Sequence, residues 1–255
     1  GESVVGFVWP ATNQIDFFVH PQAPGAEAVI FAWSEAQVLA APPEDGVVSA
    51  FGVDGDAPRE ALLAAAGYAR TEDFVACHVR SVDDALPDVP PPPAGYTVRS
   101  LRGPEEVDAR VAAHCAAFPD WLITPSGYLR AMQSATYRLD LDMVATTPAG
   151  EIVATAIVWY DESLRIGLFE PIGCHPDHQK RGLASGCIVE GLRRLKACGA
   201  ETALVCGWRD DSDGSRLYRK LGFREAERYY TWQRTLESSH AGSEDPANPQ
   251  SPRSE

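Results

Sequence analysis

"HPDHQKRGLASG", His175 to Gly186, sets two histidines, two adjacent cations and two glycines between an apolar run, "LFEPIGC" (Leu168 to Cys174), and an amphipathic helix pattern. The ligand that such a mixture would serve decides how the surrounding chain is read. For a metal, His175 and His178 stand three apart with Asp177 between them. Pro176, however, keeps this part out of a helix interior, and no third ligand stands at a suggestive distance. Both histidines are read as loop residues, and no metal is expected. A phosphate explains more of the residues at once. Gly182 and the small Ala184 let peptide N–H groups come close to an anion, and the following helix presents unpaired donors and the positive end of its dipole. Lys180 and Arg181 add charge where the anion would sit.

Working outward, strand and helix signals alternate. "DLDMVATTPAGEIVATAIVWYDE" reads as two strands across a Pro-Ala-Gly turn, and "LRIGLFEPIGC" as a third. The helix after the loop carries Leu183, Cys187, Ile188, Leu192 and Leu195 on one stripe, with Gly199 placed to cap it. "ETALVCGW" is a strand, "DDSDGSRLYRKLGF" a helix with Asp and Ser caps, and "FREAERYYTWQR" the material of a last hairpin. Two helices, "VDARVAAHCAAF" and "SGYLRAMQSATY", come before all of these. The fold class is α/β with a mixed sheet, an α+β sandwich. The first eighty residues echo that order: two strands, helix, strand, helix, strand. "FVHP" aligns with "GCHP", and "AAAGYARTEDFVACHVR" with "RKLGFREAERYYTWQR", as in an internal repeat.

"DALPDVPPPPAGY", Asp84 to Tyr96, holds five prolines and no apolar periodicity, so it should be extended and stiff. The division expected is a first domain over 1–83, a linker over 84–94, a second domain over 95–236, and a Ser-, Pro- and charge-rich disordered tail over 237–255. With 22 Lys and Arg against 36 Asp and Glu, the net charge of -14 repels nucleic acid and anionic membrane and favours a cationic or amine-bearing substrate. The six cysteines form no C-x-x-C pair and read as reduced thiols. Without a signal segment or a run of apolar residues near the ~18 of a membrane span, a cytoplasmic protein is expected. It is expected as a monomer or homodimer.

The loop spacing is neither a P-loop nor G-x-G-x-x-G, which leaves nucleotide hydrolysis and dinucleotide binding without their main support. It does fit Gln-x-x-Gly-x-Ala, as Gln179, Gly182 and Ala184. Here "CHPDHQKRGLA" resembles the signature of the GNAT superfamily of acyl-CoA-dependent N-acetyltransferases. A second element, "DSDGSRLYRKLGF", resembles the family's later N-x-x-A-x-x-L-Y-x-x-x-G-F helix, with Asp211 in place of Asn and Gly214 in place of Ala. The resemblance covers roughly Tyr96 to Arg234. The whole layout is similar to tandem GNAT proteins of the mycothiol-synthase-like group with one degenerate half. After "FVHP" the first copy has "QAPGAEAV", lacking both the spacing and a cation.

The resemblance implies acetyl-CoA as co-substrate and a small-molecule amine as acceptor, the amine attacking the thioester directly. It places the cofactor along Ile172, Gly173 and Cys174 and over the loop from Gln179, Lys180, Arg181 and Gly182 to Leu183, Ala184 and Ser185, with Asp211 on the far side. Tyr218 would protonate the leaving thiolate, or else merely pack on the pantetheine arm. Two-residue periodicity puts Glu170 on the face of Ile172 and Cys174, unless a bulge intervenes, as a base or substrate anchor. A carboxylate that only holds a loop fits as well. Cys174 is read as inert packing ahead of an acyl-enzyme nucleophile, because an apolar position raises a thiol's pKa. Trp121 and Tyr128, beside Asp120, would wall an amine pocket, and core packing explains those aromatics equally. A non-catalytic acyl-CoA-binding or regulatory module is the competing function.

Overall fold

A computed structural model describes residues 3–10, 13–209 and 212–236. The tail expected over 237–255 and Asp211 lie outside the described residues. Two compact units divide the chain: residues up to 72 with those from 230 onward, and residues 73–229. The Pro-rich stretch 84–94 therefore falls inside the second unit.

The first unit holds strands β1 (Gly6–Pro10) and β2 (Gln14–Val19), helix α1 (Glu27–Ala40), strand β3 (Val47–Val53) and helix α2 (Ala57–Ala65). Strand β1 pairs antiparallel with β2, and β2 parallel with β3. Alternation along β3 turns Val48 and Ala50 inward to meet Phe17, Phe31 and Leu63 in one core. Helix α2 starts where Asp56 accepts from the Arg59 N–H at 3.2 Å.

The second unit contains most of β4 (Ala69–Ser81), then β5 (Thr97–Ser100), α3 (Val107–Ala117), α4 (Pro125–Ala131), β6 (Asp142–Thr146), β7 (Ile152–Asp161), β8 (Ile166–Cys174), α5 (Leu183–Ala197), β9 (Thr202–Trp208), α6 (Asp213–Lys220) and the first part of β10 (Arg224–Thr235). Its strand order is β10-β4-β9-β8-β7-β6-β5. Strand β6 and the first seven residues of β7 are buried throughout, as expected of strands covered on both faces. Met143 and Ala145 join the core under α5, while Val144 joins the one under α3.

Three features differ from the sequence reading. Residues 224–235 form one strand where a hairpin was expected. Val75 to Ser81, taken as the closing strand of the first half, pair with β9 over Trp208 to Thr202, an assignment set by partners more than a hundred residues away. The short strand β5, missed in the sequence, pairs antiparallel with β6. The repeat is visible as an echo of element order: hairpin, helix, strand, helix, strand, with a parallel pair in each unit.

Candidate active site

Strands β8 and β9 run parallel, and their register ends at Phe169 opposite Val205. Strand β8 continues to Cys174, so among the described residues one edge of Ile172 to Cys174 has no strand partner and faces a gap. Along the other edge a bulge interrupts the register with β7: Ala156 faces Ile172 while Val158 faces Phe169, leaving Glu170 and Pro171 opposite one residue. Alternation is reset there. Phe169, Ile172 and Cys174 share the core under α5, whereas Gly173 turns to α3, where a Cβ would lie 2.8 Å from that of Ala117. Glycine at 173 thus serves helix packing. The bulge interrupts the two-residue period on which the expectation for Glu170 rested, and the Glu170 carboxylate bears on Tyr218.

The loop after β8 is a short 3-10 turn (Pro176–His178) followed by two residues in the left-handed region, Lys180 at φ 59° and Gly182 at φ 77°. Gly182 is the N-cap of α5, and no side chain caps the helix. The first helical bond runs from the Gly186 N–H to the Gly182 carbonyl at 2.9 Å, so the N–H groups of Leu183, Ala184 and Ser185 precede the ladder. The histidines hold the loop itself: His175 Nδ1 accepts from the Asp177 N–H at 3.2 Å, and His178 Nδ1 lies 2.9 Å from the Tyr96 hydroxyl. Gln179 donates to the Cys174 carbonyl at 3.4 Å, tying the loop to the strand end.

A cleft of about 410 Å³ opens between β8, this loop and α6. Ile172, Gly173, Cys174, Gln179, Lys180, Gly182, Leu183, Ala184, Ser185 and Tyr218 all line it. Arg181 does not. Its guanidinium donates instead to the Tyr96 hydroxyl at 3.0 Å and the Asp177 carbonyl at 3.1 Å, bracing the turn. Arg216 and Lys220, unassigned from sequence, also line the cleft, four apart on α6 and so on one helix face. Asp213 lines the cleft too and pairs with Arg216 at 2.5 Å, so the positive charge there comes mainly from Lys180 and Lys220.

Tyr218 is 7% exposed. Burial, reinforced by the Glu170 carboxylate and then Cys206, pushes its phenol well above the ordinary tyrosine range. Burial likewise raises Glu170. The Cys174 thiol is raised by burial too, against a smaller opposing pull from Arg181, which leaves it a protonated, unreactive thiol at neutral pH.

The two aromatics placed at an acceptor wall have separate surroundings. Trp121 is 48% exposed and stacks edgewise on His114, with centroids 5.1 Å apart, while its carbonyl lies 3.0 Å from His114 Nε2. Tyr128 is buried in the core under α3, its hydroxyl donating to Asp142 Oδ2 at 2.6 Å. Tyr137 donates to the same oxygen at 3.1 Å, and Arg110 Nε to Asp142 Oδ1 at 3.2 Å. Neither Arg110 nor Asp142 has any exposed side-chain surface. This buried network was missed in the sequence.

Residues 152–232 match the model of a family described as FR47-like protein. The solved structure of a GCN5-related N-acetyltransferase from Sphaerobacter thermophilus superposes with a TM-score of 0.72 at 20% identity, covering 90% of this chain and 75% of that one. The chain has the fold of a GCN5-related N-acetyltransferase. A tandem GNAT protein from the clavulanic acid biosynthesis pathway superposes with a TM-score of 0.64 at 16% identity, over 87% of this chain and 74% of that one. The mycothiol acetyltransferase of Actinosynnema mirum is 29% identical over 54% of this chain and 48% of its own length. This chain thus aligns with about half the length of that curated relative. Among the described residues no group of three or more His, Cys, Asp or Glu side chains converges as a metal site, and no helix is long and apolar enough to cross a membrane.

Proposed function

We propose that the second unit transfers an acetyl group from acetyl-CoA to the primary amine of a small molecule. The observation that carries this reading is the cleft itself: an uncapped helix N-terminus with three early N–H donors, an open strand edge, and a buried phenol between them. Unpaired helix donors and the dipole suit a diphosphate, with Lys180 and Lys220 around it and Arg216 shared with Asp213. The open edge of Ile172 to Cys174 offers main-chain groups to an amide-bearing pantetheine arm and a donor to the oxyanion formed when the amine attacks. Tyr218, which keeps its proton at neutral pH, is assigned to the departing thiolate; the same dry surroundings raise the basicity of that thiolate. Glu170 is assigned to accept a proton from the incoming amine. The first unit, whose loop lacks Gln-x-x-Gly-x-Ala, takes no acetyl-CoA in this reading.

The direct test is release of CoA from acetyl-CoA across a panel of primary amines, alongside thermal unfolding with CoA. Turnover on at least one amine is expected, and CoA at a hundred times its Kd should stabilise the chain by about 2.7 kcal/mol. Stabilisation without turnover on any amine would favour a non-catalytic acyl-CoA-binding module.

Two variants probe the assignments. Gly182→Val puts a β-branched residue at φ 77°, where a non-glycine residue costs roughly 1–3 kcal/mol. The binding-competent loop is then lost, and calorimetry should show a CoA Kd raised about 5- to 150-fold. For Glu170 the sign follows from its burial: the folded pKa is raised, so the carboxylate ionises only above the usual glutamate range and acts as a base only above that point. The acidic limb of kcat/KM should therefore lie higher than an ordinary carboxylate would place it, and Glu170→Gln should remove that limb and slow turnover. An unchanged limb in the variant would strip Glu170 of its role.

A further inference from the structure

Cys77 on β4 and Cys206 on β9 are directly opposed in the antiparallel register, with Sγ atoms 3.6 Å apart. They sit one residue beyond Val205, where β9 parts from β8. Because Ala203 and Val205 turn into the core under α5, alternation sends Cys206 to the opposite face. The titratable groups that bear on the pair are the Glu170 and Glu227 carboxylates and the Tyr218 and Tyr229 phenols. Neither cysteine is fully buried, and neither has a part in the acetyl transfer proposed above.

The two thiols are unequal. The Cys206 thiol donates to the Cys77 sulfur, which lowers the Cys77 pKa below that of an ordinary thiol, and the same bond with burial pushes Cys206 far up. One is suited to attack and the other to resolve. A disulfide needs its sulfurs about 2.05 Å apart, roughly 1.5 Å closer than here. Opposed Cβ atoms in a sheet lie about 4.5–5.5 Å apart against about 3.5–4.5 Å across a disulfide, so closing the bond draws the strands together and leaves it readily reduced.

We propose that Cys77 and Cys206 form a dithiol site that exchanges with low-molecular-weight disulfides, closing a reversible cross-strand disulfide beside Glu170. The Cys77 thiolate attacks one sulfur of RS–SR, forming a Cys77–SR bond and expelling RS⁻. Cys206 then attacks Cys77 Sγ and expels the second RS⁻, its proton passing to the departing thiolate. The protein dithiol is oxidised, the small disulfide is reduced to two thiols, and the reverse reaction restores the dithiol.

The test treats the full chain with 2-hydroxyethyl disulfide, a neutral probe that Glu170 and Glu227 do not repel, followed by alkylation and peptide mapping. A Cys77–Cys206 cross-linked peptide should appear, lighter than its two parts by two hydrogens, and vanish on reduction. Cys206→Ala and Cys77→Ala should each halt at a hydroxyethyl adduct on the remaining cysteine, without a cross-link. Full alkylation of both cysteines in the unaltered chain, or separate adducts on each without a cross-link, would overturn the proposal. This readout does not depend on acetyl transfer and stands even if the variants fold poorly.

Discussion

Tyr218→Phe should lower kcat for acetyl transfer by about 10²- to 10⁴-fold, the range for a positioned general acid, while leaving the Kd for acetyl-CoA nearly unchanged. The substitution removes one oxygen and keeps the ring, which lies edge-on to His78 and Phe223 with centroids 5.9 Å and 6.3 Å away. The core around it therefore has no cavity to fill. Without the phenol the thiolate must leave unprotonated into a half-dry cleft or wait for water. Steady-state kinetics with a fixed amine, paired with calorimetry on CoA, separates the outcomes. A variant with both kcat and CoA binding preserved would mean that the ring only packs on the pantetheine arm.

Asp142→Ala should destabilise the second unit by about 3–5 kcal/mol, the usual consequence of leaving a buried charge without its partner. Arg110 has no exposed side-chain surface, and among the described residues its Nη1 and Nη2 atoms have no hydrogen-bond partner. Its compensation is the 3.2 Å bond to Asp142, with the Tyr128 ring face 5.0 Å away. Removing Asp142 also strands the Tyr128 and Tyr137 hydroxyls, both held far above the ordinary phenol range first by burial. At about 2–4 °C per kcal/mol for a unit of this size, the melting temperature should fall by roughly 6–20 °C. A double variant, Arg110→Met with Asp142→Leu, removes both charges and should melt well above the single one. A single variant as stable as the parent would show that the pair contributes little.

The loop at 175–186 was legible because its chemistry lies in local spacing: a left-handed glycine, small residues after it, and a helix start with nothing to cap it. Tyr218 was legible through the Leu-Tyr and Gly-Phe spacing of α6. Long-range pairing was not. Strand β4 carries the alternation of a strand wherever it pairs, so nothing local sends it to β9. The face of Glu170 could not be fixed from periodicity, because one extra residue in β8 resets a two-residue period and a proline only hints at such a bulge. Arg181 reads as a cation beside a phosphate loop, yet Tyr96, eighty-five positions away, holds its side chain. Asp142 looks like a polar residue at the mouth of a strand, and its burial appears only when α3 and α4 bring Arg110 and Tyr128 over it. The i, i+4 spacing of Arg216 and Lys220 is the sequence signal for their shared helix face.

The central claim is that the turn from Gln179 to Ser185 wraps a diphosphate at the mouth of α5. A crystal structure of the chain grown with CoA tests it most directly. The diphosphate should lie within hydrogen-bond distance of the Leu183, Ala184 and Ser185 N–H groups, with the CoA sulfur directed at the Tyr218 hydroxyl. CoA bound with its diphosphate elsewhere, or a cleft that stays empty at saturating CoA, would contradict the account.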